Sequence, residues 1–177
     1  KKSENKVSDS KNKELTVKIR ENEEILLDEF LSQTTVDAFH ISHKGKTIYT
    51  WHSDYCSSTT PHIIFSVSKS LTALLIGCVI DEGLLSEETL VSQISPETKG
   101  SAFEDASVRN LLDMSVSSNF IEDYEATSGI FLDYRQSTGW NPQDIDDTSH
   151  LKSFLLSLNK NTHKHGEKFE YHSTNTD

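Results

Sequence analysis

Ser66 and Lys69 stand three residues apart in Phe65-Ser66-Val67-Ser68-Lys69-Ser70, at the mouth of the most apolar run in the chain. On a helix, residues i and i+3 share a face, so the Lys69 amine comes within reach of the Ser66 hydroxyl. A serine hydroxyl becomes a useful nucleophile when a neighbouring base takes its proton. A lysine amine is such a base once desolvation or nearby positive charge lowers its pKa. Backbone N–H groups at a helix N-terminus can also stabilise the alkoxide and contribute to an oxyanion hole. The chemistry of such a pair is acyl transfer. The same residues read equally well as serines capping a buried helix with a lysine on its first turn. S-x-x-K occurs six times, beginning at Ser3, Ser8, Ser10, Ser66, Ser149 and Ser157, and only the copy at Ser66 opens a strongly apolar helix directly after a loop. A second candidate group lies in "HGEKFEYHSTNTD", where Tyr171 beside a cationic lysine can act as a phenolate-like base or proton relay.

The elements that must position these groups follow from patterning. The apolar run reads as one helix from Ser66 to about Glu82, ended by Gly83 at a position that favours a left-handed backbone. Its most apolar part, Leu71 to Ile80, is about half of the ~20 residues a membrane span needs, so it reads as a core helix and not as a span. Upstream, "IRENEEILLDEFL" from Ile19 to Leu31 reads as an amphipathic helix. "VDAFHIS" and "TIYTWH" read as two strands joined through Gly45. Ser107 can cap a helix over "VRNLLDM", and Thr148 or Ser149 one over "HLKSFLLSL". Between them, Ser115 to Asp147 reads as a long polar loop carrying Phe120, Tyr124, Phe131, Tyr134 and Trp140, a candidate lid or cleft wall.

Composition narrows the functions. The 177 residues carry 17 Lys and Arg against 28 Asp and Glu, a formal net charge of -11 that repels a phosphate backbone and argues against nucleic acid as a partner. Hydrophobic residues make up 34%, enough for a core. The first residues read as a polar, disordered tail without the apolar segment of a signal peptide. A cleaved export signal would leave a similar start, so the compartment stays open. Cys56 and Cys78 are too few for a disulfide framework, with Cys78 read as a core thiol and Cys56 as a loop residue.

In family order, "FSVSKSLTALLIGCVIDEGLL", "VRNLLDMSVSSNFIEDY", "STGW" and "HGEKFEYHSTNTD" resemble the serine hydrolases that share the fold of penicillin-binding proteins and class C β-lactamases. Within them the chain is most similar to the 6-aminohexanoate-dimer hydrolase group of esterases and amidases. The resemblance covers Phe65 to Asp177. It implies an α/β fold of the α+β type, in which an antiparallel sheet packs with helices and a helical subdomain. Residues 1–18 would be a polar tail and 19–177 the N-terminal part of the hydrolase domain. It also implies Ser66 as the acylated nucleophile, Lys69 as its proton acceptor and Tyr171 as proton shuttle in a two-step acyl-enzyme mechanism, with no cofactor and no metal.

By the same resemblance Tyr124, in "EDYEA", matches a cleft tyrosine that assists amide substrates, while it reads equally as an anchor of the long loop. Ser173 stands where β-lactamases of this fold carry the asparagine of Y-x-N, so Tyr171-His172-Ser173 favours small ester or amide substrates over β-lactams. The third motif of the family, a K-T-G or H-x-G strand, does not occur by Asp177. The expectation is therefore an N-terminal part, inactive alone, with a complementary C-terminal segment of the same protein as a possible partner. The competing readings are a β-lactamase or D-amino-acid peptidase, and a catalytically silent binding or sensor module. His163, His165 and His172 with Glu167 and Asp177 suggest a metal only weakly. They read as solvated histidines, with His172 at a cleft edge. Asp144, Asp146 and Asp147 read as helix-end acids. Trp51 and Trp140 can be core or cleft.

Overall fold

The computed structural model describes residues 15–142 and 150–177. It divides at Ile63 and Ile64 into two compact units, each with its own apolar cluster. The sequence reading places a single domain part over 19–177. Of its expected tail, 1–14 lie outside the described residues and Thr16–Lys18 pair in a strand.

In the first unit, strands β1 (Thr16–Arg20) and β2 (Glu23–Leu26) form an antiparallel hairpin, followed by helix α1 (Leu27–Ser32). The expected helix over 19–31 is thus corrected to a hairpin and a short helix. The β-branched Thr16, Val17, Ile19 and Ile25 suit a pleated surface, and the turn between Arg20 and Glu23 interrupts any helical period. Strands β3 (Ala38–His43) and β4 (Lys46–His52) pair as expected. Lys44 and Gly45 form their two-residue turn, both with positive φ (49° and 73°), the handedness that matches strand twist. Tyr49 is buried from β4 against Leu27 and Leu31, with its hydroxyl donating to Asp28 at 2.6 Å. Burial and that carboxylate push the Tyr49 phenol well above its usual range. Trp51 packs against the same cluster, a core role.

The second unit opens with helix α2 (Val67–Asp81), whose end is chemically well defined. Gly83 takes φ 71°, Gly83 N–H donates to Ile80 and Leu84 N–H to Val79, the paired bonds of a Schellman ending. The expectation that α2 lies in the core is not met among the described residues. None of its side chains is buried, Leu74 is 67% exposed, and Cys78 is an exposed thiol and not a core one.

The core of this unit draws on Val116, Phe120 and Phe131, read from sequence as loop, together with Phe154 and Leu158 from the segment read as a helix and Ala102, Phe103 and Ala106. Phe120 is 1% exposed, and its ring meets those of Tyr134, Phe154 and Phe131 at 5.2, 5.9 and 6.2 Å. Within the stretch 115–147, Ile130–Ser137 forms helix α5, with Ile130, Phe131 and Tyr134 turned to this core. Two short helices precede it, α3 (Val91–Ile94) and α4 (Val108–Leu112). Ser107 caps α4 as expected, accepting from Asn110 N–H while the Asn110 side chain accepts from Ser107 N–H. Helix α6 (Leu151–Ser157) begins after His150. Thr148, Ser149 and the three aspartates at 144, 146 and 147 lie outside the described residues. No described helix is long and apolar enough to cross a membrane.

Candidate active site

Phe65 has φ 42°, in the left-handed region that a bulky side chain adopts at a cost of order 1–3 kcal/mol. That residue turns the chain so that Ser66 becomes the N-cap of α2. The first turn then closes through Lys69 N–H to Ser66 C=O and Ser68 Oγ to Phe65 C=O. Lys69 lies one turn into the helix and its Nζ donates to Ser66 Oγ at 3.0 Å. The spacing read from sequence therefore yields the contact. Ser66 is exposed and open to a ligand, whereas Lys69 is half-buried.

Tyr171 arrives from the other end of the unit, with its ring centroid 5.6 Å from Lys69 Nζ. Its position is fixed by the next residues. Ser173 N–H and Ser173 Oγ both donate to the Glu122 carboxylate, at 2.6 and 2.9 Å, and the Tyr124 hydroxyl donates to the same group. One carboxylate thus holds the segment after Tyr171 and the phenol of Tyr124 together. Its hydrogen bond, ahead of burial, pushes the Tyr124 phenol up to about 12, so Tyr124 keeps its proton at neutral pH.

Ser66, Lys69, Tyr124 and Ser173 line one cavity of about 560 Å³, with Phe65 and Trp140 forming an aromatic corner 5.6 Å between centroids. Trp140 is 64% exposed and belongs to this cleft. Asp177 also faces it. Burial pushes its carboxyl above the usual range, opposed by the hydrogen bond from Tyr134 at 2.7 Å and by the charge of Lys69. Glu122 and Arg135 escaped the sequence reading as site residues, and Asp177 entered it only as a weak metal candidate and not as a cleft residue. The acid two positions before Tyr124 was the only available signal for Glu122.

The histidines do not behave as expected. His172 points away from the cleft edge into the core, its ring 5.4 Å from that of Phe120, and burial lowers its pKa. His165 is not solvated: Nδ1 accepts from Ser117 N–H at 2.9 Å and Nε2 donates to Asp105 at 3.0 Å. The His163 side chain is likewise withdrawn from solvent, with Nε2 3.1 Å from Glu170. Among the described residues, no group of three His, Cys, Asp or Glu side chains is arranged to hold a metal.

A family model described as Beta-lactamase matches residues 26–177. The 6-aminohexanoate-dimer hydrolase of Paenarthrobacter ureafaciens is 31% identical over 151 residues, covering 85% of this chain and 38% of that protein. A Bacillus anthracis structure whose description carries the same 6-aminohexanoate-dimer hydrolase name superposes with a TM-score of 0.78 at 22% identity, over 92% of this chain and 43% of its own. The chain spans less than half the length of either relative.

Proposed function

The chain belongs to the β-lactamase family, and from that premise we propose that its full-length protein is a serine hydrolase, an esterase or amidase working through an acyl-enzyme. The observation that carries this reading is the 3.0 Å hydrogen bond between Lys69 Nζ and Ser66 Oγ at an open cleft. In the proposed cycle, the Lys69 amine takes the Ser66 proton as Oγ bonds to the substrate carbonyl carbon. The bond to the leaving oxygen or nitrogen then breaks, and the leaving group receives a proton relayed from Lys69 through Tyr171. Water attacks the Ser66 ester, gives its proton back along the same route and releases the acid.

Tyr124 keeps its phenolic proton, which suits it to hydrogen bonding with a substrate heteroatom and not to acting as a base. Ser173 holds Glu122 where an asparagine would otherwise face a lactam, which supports linear esters or amides as substrates. The name of the Paenarthrobacter relative points the same way, to an amide. A fluorophosphonate probe on the full-length protein tests the reading. Covalent labelling should be lost in Ser66→Ala and slowed at least about a hundredfold in Lys69→Ala. Labelling that persists in Ser66→Ala would sink it, and turnover of a chromogenic β-lactam much faster than a nitrophenyl ester would favour the lactamase alternative.

A further inference from the structure

We propose that Arg135 makes this cleft a receptor for esters or amides that carry a carboxylate, its guanidinium holding the carboxylate while Ser66 meets the scissile carbonyl. The proposal rests on the hydrolase reading above. Arg135 lines the same cavity as Ser66 and Lys69, from the last turn of α5. Its placement is rigid. Trp140 and Asn141 N–H donate to the Arg135 carbonyl at 2.9 and 3.0 Å, and its Cζ lies 5.9 Å from the Phe131 ring centroid.

Its Nε and Nη2 both donate to Asn141 Oδ1, at 3.2 and 3.0 Å. A guanidinium has five N–H donors, and among the described residues no bond from Nη1 joins those of Nε and Nη2, while an amide oxygen leaves the positive charge unmatched. Among the described residues of this unit, Arg109 pairs with Glu87 and Asp113, Lys152 with Glu97 and Lys160 with Asp105, whereas Arg135 has no carboxylate partner. The two carboxylates facing the cleft are engaged elsewhere, Glu122 by Tyr124 and Ser173 and Asp177 by Tyr134. In an acidic chain, an oriented arginine inside a cleft, without a carboxylate partner among the described residues, selects an anion. A planar fork fits a carboxylate better than it fits any neutral group.

The test compares 4-nitrophenyl monoesters of adipic and suberic acid with the same esters carrying a terminal carboxamide, using the full-length protein. The wild type should favour the carboxylate in kcat/KM, and Arg135→Gln should lower that preference ratio about ten- to hundredfold, with Arg135→Lys retaining more of it. A wild-type ratio at or below one, an unchanged ratio in Arg135→Gln, or equal loss in the lysine and glutamine variants overturns the proposal. Absence of all ester turnover overturns the hydrolase reading instead. In that case calorimetric titration of Ser66→Ala with adipate and adipamide decides. Adipate binding tighter than adipamide, and weakened about tenfold or more by adding Arg135→Gln, supports anion recognition; equal binding, or an unaffected ratio, overturns it.

Discussion

Two short stretches of the second unit invert what their compositions suggest. Leu71 to Ile80 on α2 is the most apolar run and has no buried side chain, while Ser115 to Ser118 is three parts serine and almost wholly buried, with Ser117 1% exposed. The difference lies in partners. The serine stretch enters the interior with partners for several of its polar groups, Ser117 N–H bonding His165 Nδ1 and Ser115 Oγ the Asn110 carbonyl at 3.3 Å, while Ser117 Oγ is buried without a partner among the described residues. A buried polar group with a partner costs little. The α2 run is fixed by its two ends, a left-handed Phe65 before it and the Schellman turn after it, and while Ile76, Val79 and Ile80 are partly covered, Leu71, Leu74 and Leu75 stay more than half exposed. Apolarity tells where a surface gains by being covered, and only the surrounding chain tells whether it is.

The contrast is open to direct attack in the polypeptide of residues 1–177, by chemical denaturation. Phe120→Ala should cost about 3–5 kcal/mol, because it empties the centre of an aromatic cluster, whereas Leu74→Ala should stay within about 0.5 kcal/mol. Comparable losses would break the comparison. His165→Ala removes the acceptor for Ser117 N–H and strands a buried donor, so a loss of about 1–3 kcal/mol is expected in the same assay. No loss would mean that the serine stretch is held by something other than that bond. Gly83→Ala should cost about 1–2 kcal/mol; the added Cβ meets open space, so the penalty is that of the left-handed backbone alone.

The smallest effect is one of pH. His172 is pushed below the ordinary 6.5 by burial, so the folded state binds its proton less readily than the unfolded chain. The stability this contributes is present above pH 6.5 and is lost as pH falls from there through the folded pKa. The drop in thermal midpoint between pH 7.5 and pH 5.5 should therefore be smaller in His172→Gln than in the parent. An equal drop in both would show that His172 is not the titrating group.

The sequence made legible whatever local chemistry decides. The hairpin from Ala38 to His52 followed from β-prone runs around Gly45, the end of α2 from Gly83, the cap of α4 from Ser107, and the Ser66–Lys69 contact from a spacing of three. What depends on distant partners was not legible. The Glu122 tie to Ser173 crosses 51 positions, and the burial of Ser117 needs a histidine 48 positions away. Helix α5 was hidden because Asp133 and Arg135 stand among its apolar residues, giving the stretch the look of a polar loop. The stretch from Ile19 to Leu31 failed differently, since a helical period was read straight across the turn between β1 and β2.

The left-handed Phe65 limits which residues can precede Ser66. A β-branched side chain there would meet the steepest steric penalty and swing the entry to α2, so valine and isoleucine are the poorest replacements. Glycine would relax the backbone but widen the unfolded ensemble and remove the ring beside Trp140. Asparagine tolerates the conformation with less strain, yet it too leaves the aromatic corner half built. Position 65 thus couples two requirements that act on different parts of one residue: a rare backbone angle that aims Ser66, and a ring that walls its cleft.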